Sequence, residues 1–169
     1  DASGVPGCDT IMSFTITEPA LLDATHTVVH VTCYGQSTGS ITTNAFGGNP
    51  PYTYQWSNSA TVNTSSQGNL PAGVYTITIT DSTGCVKNIV TQVLQPDSFY
   101  ITQSITNASC FGVADGEVTV LADGGTPGYS YLWSDGQTTS TATGLAGGTY
   151  AVTVTDANSC TSTSTASIS

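Results

Sequence analysis

Residues 74–81, VYTITITD, place Tyr75, Ile77 and Ile79 at alternate positions with Thr76, Thr78 and Thr80 between them. Successive side chains of an extended chain point to opposite faces, so this run predicts a strand with one buried and one wet face. TYAVTVTD, residues 149–156, repeats the pattern. Tyr52, Tyr54 and Trp56 share one face of another predicted strand, as do Tyr129, Tyr131 and Trp133, with Thr53 and Gln55 on the opposite face of the first. GSITTNAF (39–46) and GEVTVLAD (116–123) predict further strands, each followed by Gly-Gly and then a proline, which together signal a turn. No stretch sustains a helical period, and β-branched residues, which suit a pleated surface, dominate.

The pattern occurs twice. Shifting the chain by 77 positions sets Cys33 on Cys110, Gly47–Gly48 on Gly124–Gly125, Pro50 on Pro127, Tyr52 on Tyr129, Tyr54 on Tyr131 and Trp56 on Trp133. Beyond the tryptophan the shift becomes 75, matching Leu70 with Leu145, Tyr75 with Tyr150, Asp81 with Asp156 and Cys85 with Cys160. Cys8 and Pro19 precede Cys85 and Pro96 by the same 77. An internal period overrides the one-domain expectation for this length. The expected organisation is a C-terminal strand of a preceding repeat (1–19), a first repeat (20–96) and a second (97–169), as a piece of something longer with targeting signals outside it.

Each repeat reads as about seven short strands separated by turns. That predicts an all-β chain of tandem antiparallel β-sandwiches. A tryptophan on the third strand, and LPAGVY or LAGGTY where a sixth strand would begin, match the buried tryptophan and tyrosine corner of immunoglobulin-like folds. Tyr75 and Tyr150 are the corner candidates, and Tyr52, Tyr54, Trp56, Tyr129, Tyr131 and Trp133 are the other predicted core aromatics.

Composition narrows the function. Serine and threonine make up about 30% of the 169 residues, and a formal charge of −10 leaves Lys87 as the single cation among lysines and arginines. Binding a phosphate backbone requires cations that displace counterions, so nucleic acid and anionic membrane are poor partners. No apolar run is long enough for membrane insertion. Five cysteines at repeated positions beside only two histidines, with no Cys-x-x-Cys pair, read as disulfides and an oxidising, extracellular compartment.

The segments CYGQSTGSITTNAFGGNPPYTYQWSNSAT, CFGVADGEVTVLADGGTPGYSYLWSDGQTT and GTYAVTVTDANSC resemble the SprB-type repeat of Bacteroidetes cell-surface adhesins and filaments. The shared features are Cys-x-Gly, Gly-Gly-x-Pro-x-Tyr-x-Tyr-x-Trp, Gly-x-Tyr and Asp-x-x-x-Cys, and they cover essentially the whole chain. The resemblance implies a surface adhesin filament exported by type IX secretion and carried by the gliding machinery in some members. It does not imply an enzyme. Such repeats also occur in surface proteins unconnected with gliding, so a stalk or attachment role is the broader implication.

Cys8, Cys33, Cys85, Cys110 and Cys160 allow three pairing schemes. Within-repeat bonds, Cys33–Cys85 and Cys110–Cys160, close loops of about 50 residues, worth about 4 kcal/mol in the chain-entropy model. Neighbour bonds join Cys8 to Cys33 and Cys85 to Cys110. A junction bond joins Cys33 to Cys160. In an immunoglobulin-like repeat Cys33 and Cys85 lie on turns at opposite ends, about 25 to 30 Å apart, whereas a disulfide spans only about 7 Å between α-carbons. That favours the junction bond and leaves Cys8, Cys85 and Cys110 for partners beyond the chain. A different threading of the first strand restores the within-repeat scheme.

His26 and His30, four apart on a strand, stand about 13 Å from one another, too far to share a metal. Asp115, Glu117, Asp123 and Asp135 offer oxygens of the kind calcium prefers, but their first-repeat counterparts are Thr38, Ser40, Phe46 and Asn58. No cofactor is expected; a junction calcium at Asp81 and Asp156 is the sole metal alternative. Thr10 and Ser82 sit in DTI and DST, which resemble Bacteroidetes O-glycan sites, and Asn63 and Asn107 fit Asn-x-Ser/Thr. No nucleophile-and-base set appears. The predicted function is a non-enzymatic stalk segment of an extracellular filament or adhesin, partnered by neighbouring repeats. The alternative is a carbohydrate-binding module contacting surface glycans, with Tyr34 and Phe111 as its exposed aromatics.

Overall fold

A computed structural model describes residues 14, 18–59 and 63–169; the expected strand at 1–19, with Cys8 and Thr10, lies outside the described residues but for Phe14, Glu18 and Pro19. Twelve strands follow one another with no helix among the described residues. They are β1 (Asp23–Val29), β2 (Gly39–Phe46), β3 (Thr53–Trp56), β4 (Ser66–Leu70), β5 (Gly73–Thr80), β6 (Val86–Val93), β7 (Asp97–Thr106), β8 (Gly116–Gly125), β9 (Ser130–Trp133), β10 (Thr141–Leu145), β11 (Gly148–Thr155) and β12 (Thr161–Ile168). Four antiparallel sheets of three strands result, in the orders β1-β2-β4, β3-β5-β6, β10-β8-β7 and β12-β11-β9.

The alternation read from the sequence sets the faces. On β5, Tyr75, Ile77 and Ile79 are buried while the threonines between them are half-buried; on β8, Val118, Val120 and Ala122 are buried. Ile41 and Leu70 from one sheet meet Trp56, Ile77, Ile79 and Val93 from the other to form the first core. The second core joins Val118, Ala142 and Leu145 to Trp133, Val152, Val154 and Ile168. Each pair of sheets therefore shares a core of its own, as two sandwiches do.

Among the described residues each sandwich has six strands rather than about seven. Only β10 lies between β9 and β11, because residues 134–140 are spent on a turn held by Gln137 and Asp135. This glycine- and hydroxyl-rich stretch has no apolar alternation to bury. The tyrosine corner consequently opens the fifth strand of each sandwich, not a sixth. At the edges, Lys87 on β6 pairs with Asp23 on β1 at 2.8 Å. In the second sandwich Gln103 on β7 bridges to β12, donating to the Thr165 carbonyl and accepting from Ser164 Oγ, both at 3.1 Å.

Candidate functional site, the junction between sandwiches

Polar clasps fix both ends of each sandwich. The hydroxyls of Tyr75 and Tyr150 donate to the carbonyls of Pro71 and Ala146, at 2.8 and 3.1 Å, which is the tyrosine corner in both copies. Tyr52 and Tyr129 donate to the Gly47 and Gly124 carbonyls at 2.6 and 2.7 Å. Trp56 and Trp133, each 2% exposed, donate through Nε1 to the carbonyls of Thr64 and Thr139. Tyr54 and Tyr131 are half-buried against the two cores.

The Gly-Gly turn has a steric reason. Gly47 and Gly124 take positive φ, and a Cβ on either would run into the backbone carbonyl of Leu21 or Ser98. A Cβ on Gly48 or Gly125 would stand 2.7 Å from a carboxylate oxygen of Asp81 or Asp156. Those aspartates are the centre of the loops that carry Cys85 and Cys160. Asp81 Oδ2 accepts Asn49 N–H, and Oδ1 accepts the N–H groups of Thr83 and Cys85, all at 2.9 Å. Asp156 accepts from Thr126, Asn158 and Cys160 at 2.8, 2.9 and 2.8 Å. The Asn49 N–H, with the Thr83 and Cys85 donors, holds the Asp81 pKa at about 2, against the opposing effect of burial.

Both oxygens of each aspartate are thus engaged as acceptors of backbone N–H groups. Asp115, Asp123 and Asp135 are likewise engaged separately, by Ser109 N–H, Tyr100 hydroxyl and Gln137. Among the described residues no group of three or more His, Cys, Asp or Glu could hold a metal ion.

The two sandwiches are stapled. Cys33, on the β1–β2 loop, bonds Cys160, on the β11–β12 loop, with α-carbons 5.7 Å apart. Cys85 and Cys110 are exposed free thiols. Around the bond, Asn158 Nδ2 donates to the Thr32 carbonyl at 3.3 Å, and Tyr34 lines a cleft with Ser98, Phe99, Cys160 and Thr161. The connector Leu94–Pro96 is held back against the same loop. Val31 N–H donates to the Leu94 carbonyl, His30 Nδ1 accepts Leu94 N–H, and Gln95 Oε1 accepts Gly35 N–H.

Gln95 and Asn158 are not marked in the sequence, since neither recurs in the other copy, whereas the His30 bond to Leu94 N–H has its counterpart in Asn107 Oδ1, which accepts Ser169 N–H at 3.1 Å. The recurring Asp-x-x-x-Cys did carry a signal for the aspartate clasp, because an aspartate accepting from the backbone two and four residues onward is a turn-forming pattern. Ser82, exposed, donates its hydroxyl to the Asn49 carbonyl at 2.9 Å. Phe111 is fully exposed.

No curated protein matches the chain. The SprB repeat model matches residues 25–61 and 102–138. Each match runs from the first strand of a sandwich past its tryptophan, taking in the cysteine loop and the Gly-Gly turn, and stops before the strand leading to the clasp aspartate. The two stretches similar to the SprB repeat are thus equivalent, one in each sandwich.

Proposed function

We propose that the chain is a stalk segment of an extracellular filament or surface adhesin, whose work is reach and display. The observation that carries this reading is the covalent joint between consecutive sandwiches. A connector of only Leu94–Pro96, a proline within it, backbone bonds to the neighbouring loop and a disulfide across the same interface together restrict hinge motion. The acidic, hydroxyl-rich exterior suits a surface that must stay soluble beside copies of itself. A disulfide also suits an oxidising compartment. Carriage by a gliding machinery, type IX export, a Bacteroidetes source and O-glycans at Ser82 belong to this proposal through the family resemblance. A glycan on Ser82 would displace its bond to Asn49, and an intact mass equal to the bare polypeptide would exclude it.

Small-angle scattering tests the stalk reading. An elongated particle of two beads in line, stiff enough to keep its maximum dimension when salt is raised, is the expected result. A compact particle with the sandwiches folded side by side would overturn it. The rival carbohydrate-binding reading rests on Tyr34 and Phe111, which are exposed, because Trp56 and Trp133 are buried. Specific retention on a glycan array would revive it.

A further inference from the structure

The staple between the sandwiches changes which residues carry load when the chain is pulled. In each sandwich the first and last strands run side by side in the same direction. Lys87, near the start of β6, meets Asp23 at the start of β1, and past the other ends of these strands Val31 N–H donates to the Leu94 carbonyl at 2.9 Å. In the second sandwich Phe99 on β7 and Thr161 on β12 share the cleft beside the staple. Further along, Gln103 bridges to Ser164 and Thr165, and at the far end Asn107 Oδ1 accepts Ser169 N–H at 3.1 Å.

Without the staple, tension would enter the first sandwich at the start of β1 and leave it from the end of β6. Those points lie at opposite ends of a parallel pair, so the two strands would be sheared past one another. The second sandwich would be loaded in the same way, from the start of β7 to the end of β12. Among the described residues neither pair forms a sheet ladder. Resistance to that shear rests on packing and on bonds such as Asp23 to Lys87 and Gln103 to Thr165.

The staple opens a shorter route. Cys33 lies just past the end of β1 and Cys160 just before β12, with α-carbons 5.7 Å apart. Because β1 runs toward the junction and β12 away from it, one covalent line passes from the start of β1 through the bond to the end of β12. Both strands are already extended: a strand rises about 3.3 Å per residue, against a limit of about 3.3 to 3.6 Å for a fully stretched chain. That line has almost no length to give. Residues 34–159, with both tryptophans and most of both cores, lie beside it. We infer that the Cys33–Cys160 bond is a load bypass: tension that enters before β1 and leaves after β12 passes along these two strands and the bond, and unfolds neither sandwich. The inference rests on the stalk reading for its purpose, since a segment that transmits load along its length has use for such a line.

Single-molecule pulling tests this on the full 169-residue chain, with handles at both termini. Cys8→Ser, Cys85→Ser and Cys110→Ser leave the staple as the one disulfide able to form. The oxidised chain is expected to extend with no unfolding step from either sandwich. Dithiothreitol then opens the bond by thiol exchange, supplying two electrons and two protons and ending as its own cyclic disulfide. Two steps of about 200 to 230 Å each are expected after it, the stretched length of roughly 70 residues less the folded span of a sandwich. Cys160→Ser should give the same two steps without reductant. A step of that size from the oxidised chain would overturn the inference. So would the absence of steps after reduction, whether the sandwiches hold without the bond or are already unfolded without it, and tryptophan fluorescence of the unpulled reduced chain tells those two apart. A compact scattering profile would count against the stalk reading and leave the pulling result unaffected.

Discussion

The two sandwiches differ in what fills them and agree in what ties them. The first buries Ile41, Ile77 and Ile79 where the second buries Val118, Val152 and Val154, and it accepts a buried Thr43 where the second has Val120. Thr43 is tolerated because its hydroxyl donates to the Ser65 carbonyl at 2.8 Å. The lost volume is partly returned elsewhere, with Ile168 standing where the first sandwich has Val93, each packed over the glycine that opens the neighbouring strand, Gly116 or Gly39. The tyrosine, tryptophan and aspartate bonds, by contrast, recur with nearly the same partners and lengths. Apolar volume is exchangeable if its sum is kept, whereas a buried polar group is costly without its partner.

The comparison breaks most severely at the tryptophans. Trp56→Ala and Trp133→Ala should each cost about 3 to 5 kcal/mol in the sandwich that carries them, read by chemical denaturation. Unequal costs would show that one copy relies on its tryptophan less than the shared bond suggests.

The aspartate clasp comes next. Asp81→Asn replaces an oxygen that accepts from the backbone by a donor, and should lower the melting temperature of the first sandwich more than either tyrosine change below. Its pH dependence has a definite sign. The folded pKa of about 2 lies below the ordinary 3.8. The stabilisation is therefore complete above about pH 4 and lost as pH falls toward 2. An acid limb that is unchanged in Asp81→Asn would contradict this assignment.

Smaller effects sharpen the corner. Tyr75→Phe and Tyr150→Phe remove one hydroxyl bond each and should cost about 1 kcal/mol, by thermal or urea unfolding. The smallest is volume. Ile77→Val, which writes the second sandwich's residue into the first, should cost about 0.5 to 1.5 kcal/mol.

Much of this fold is legible because strand alternation and a doubled aromatic phrase report burial directly. The predicted core tyrosines and tryptophans fall on the packed faces, and Tyr75 and Tyr150 form the corner. Strand number is less legible, because the turn at residues 134–140 and its counterpart are rich in the hydroxyl residues that also cover the strands. The role of Asp81 and Asp156 was hidden for a different reason. An aspartate recurring before a cysteine is equally consistent with a metal ligand or a backbone acceptor, and only the positions of Asn49 and Thr126 across the end of the sandwich distinguish them. Gln95 and Asn158 have no like residue at the matching position of the other copy, so no repetition marks them, and the His30 bond to Leu94 recurs only with a changed residue, Asn107 accepting the Ser169 N–H.

Non-reducing peptide mapping of the oxidised chain tests the central claim most directly. A single intrachain linked peptide joining Cys33 to Cys160, absent after reduction, is the predicted result. Recovery of Cys33 with Cys85 and Cys110 with Cys160 would close each sandwich on itself and contradict the end-to-end staple.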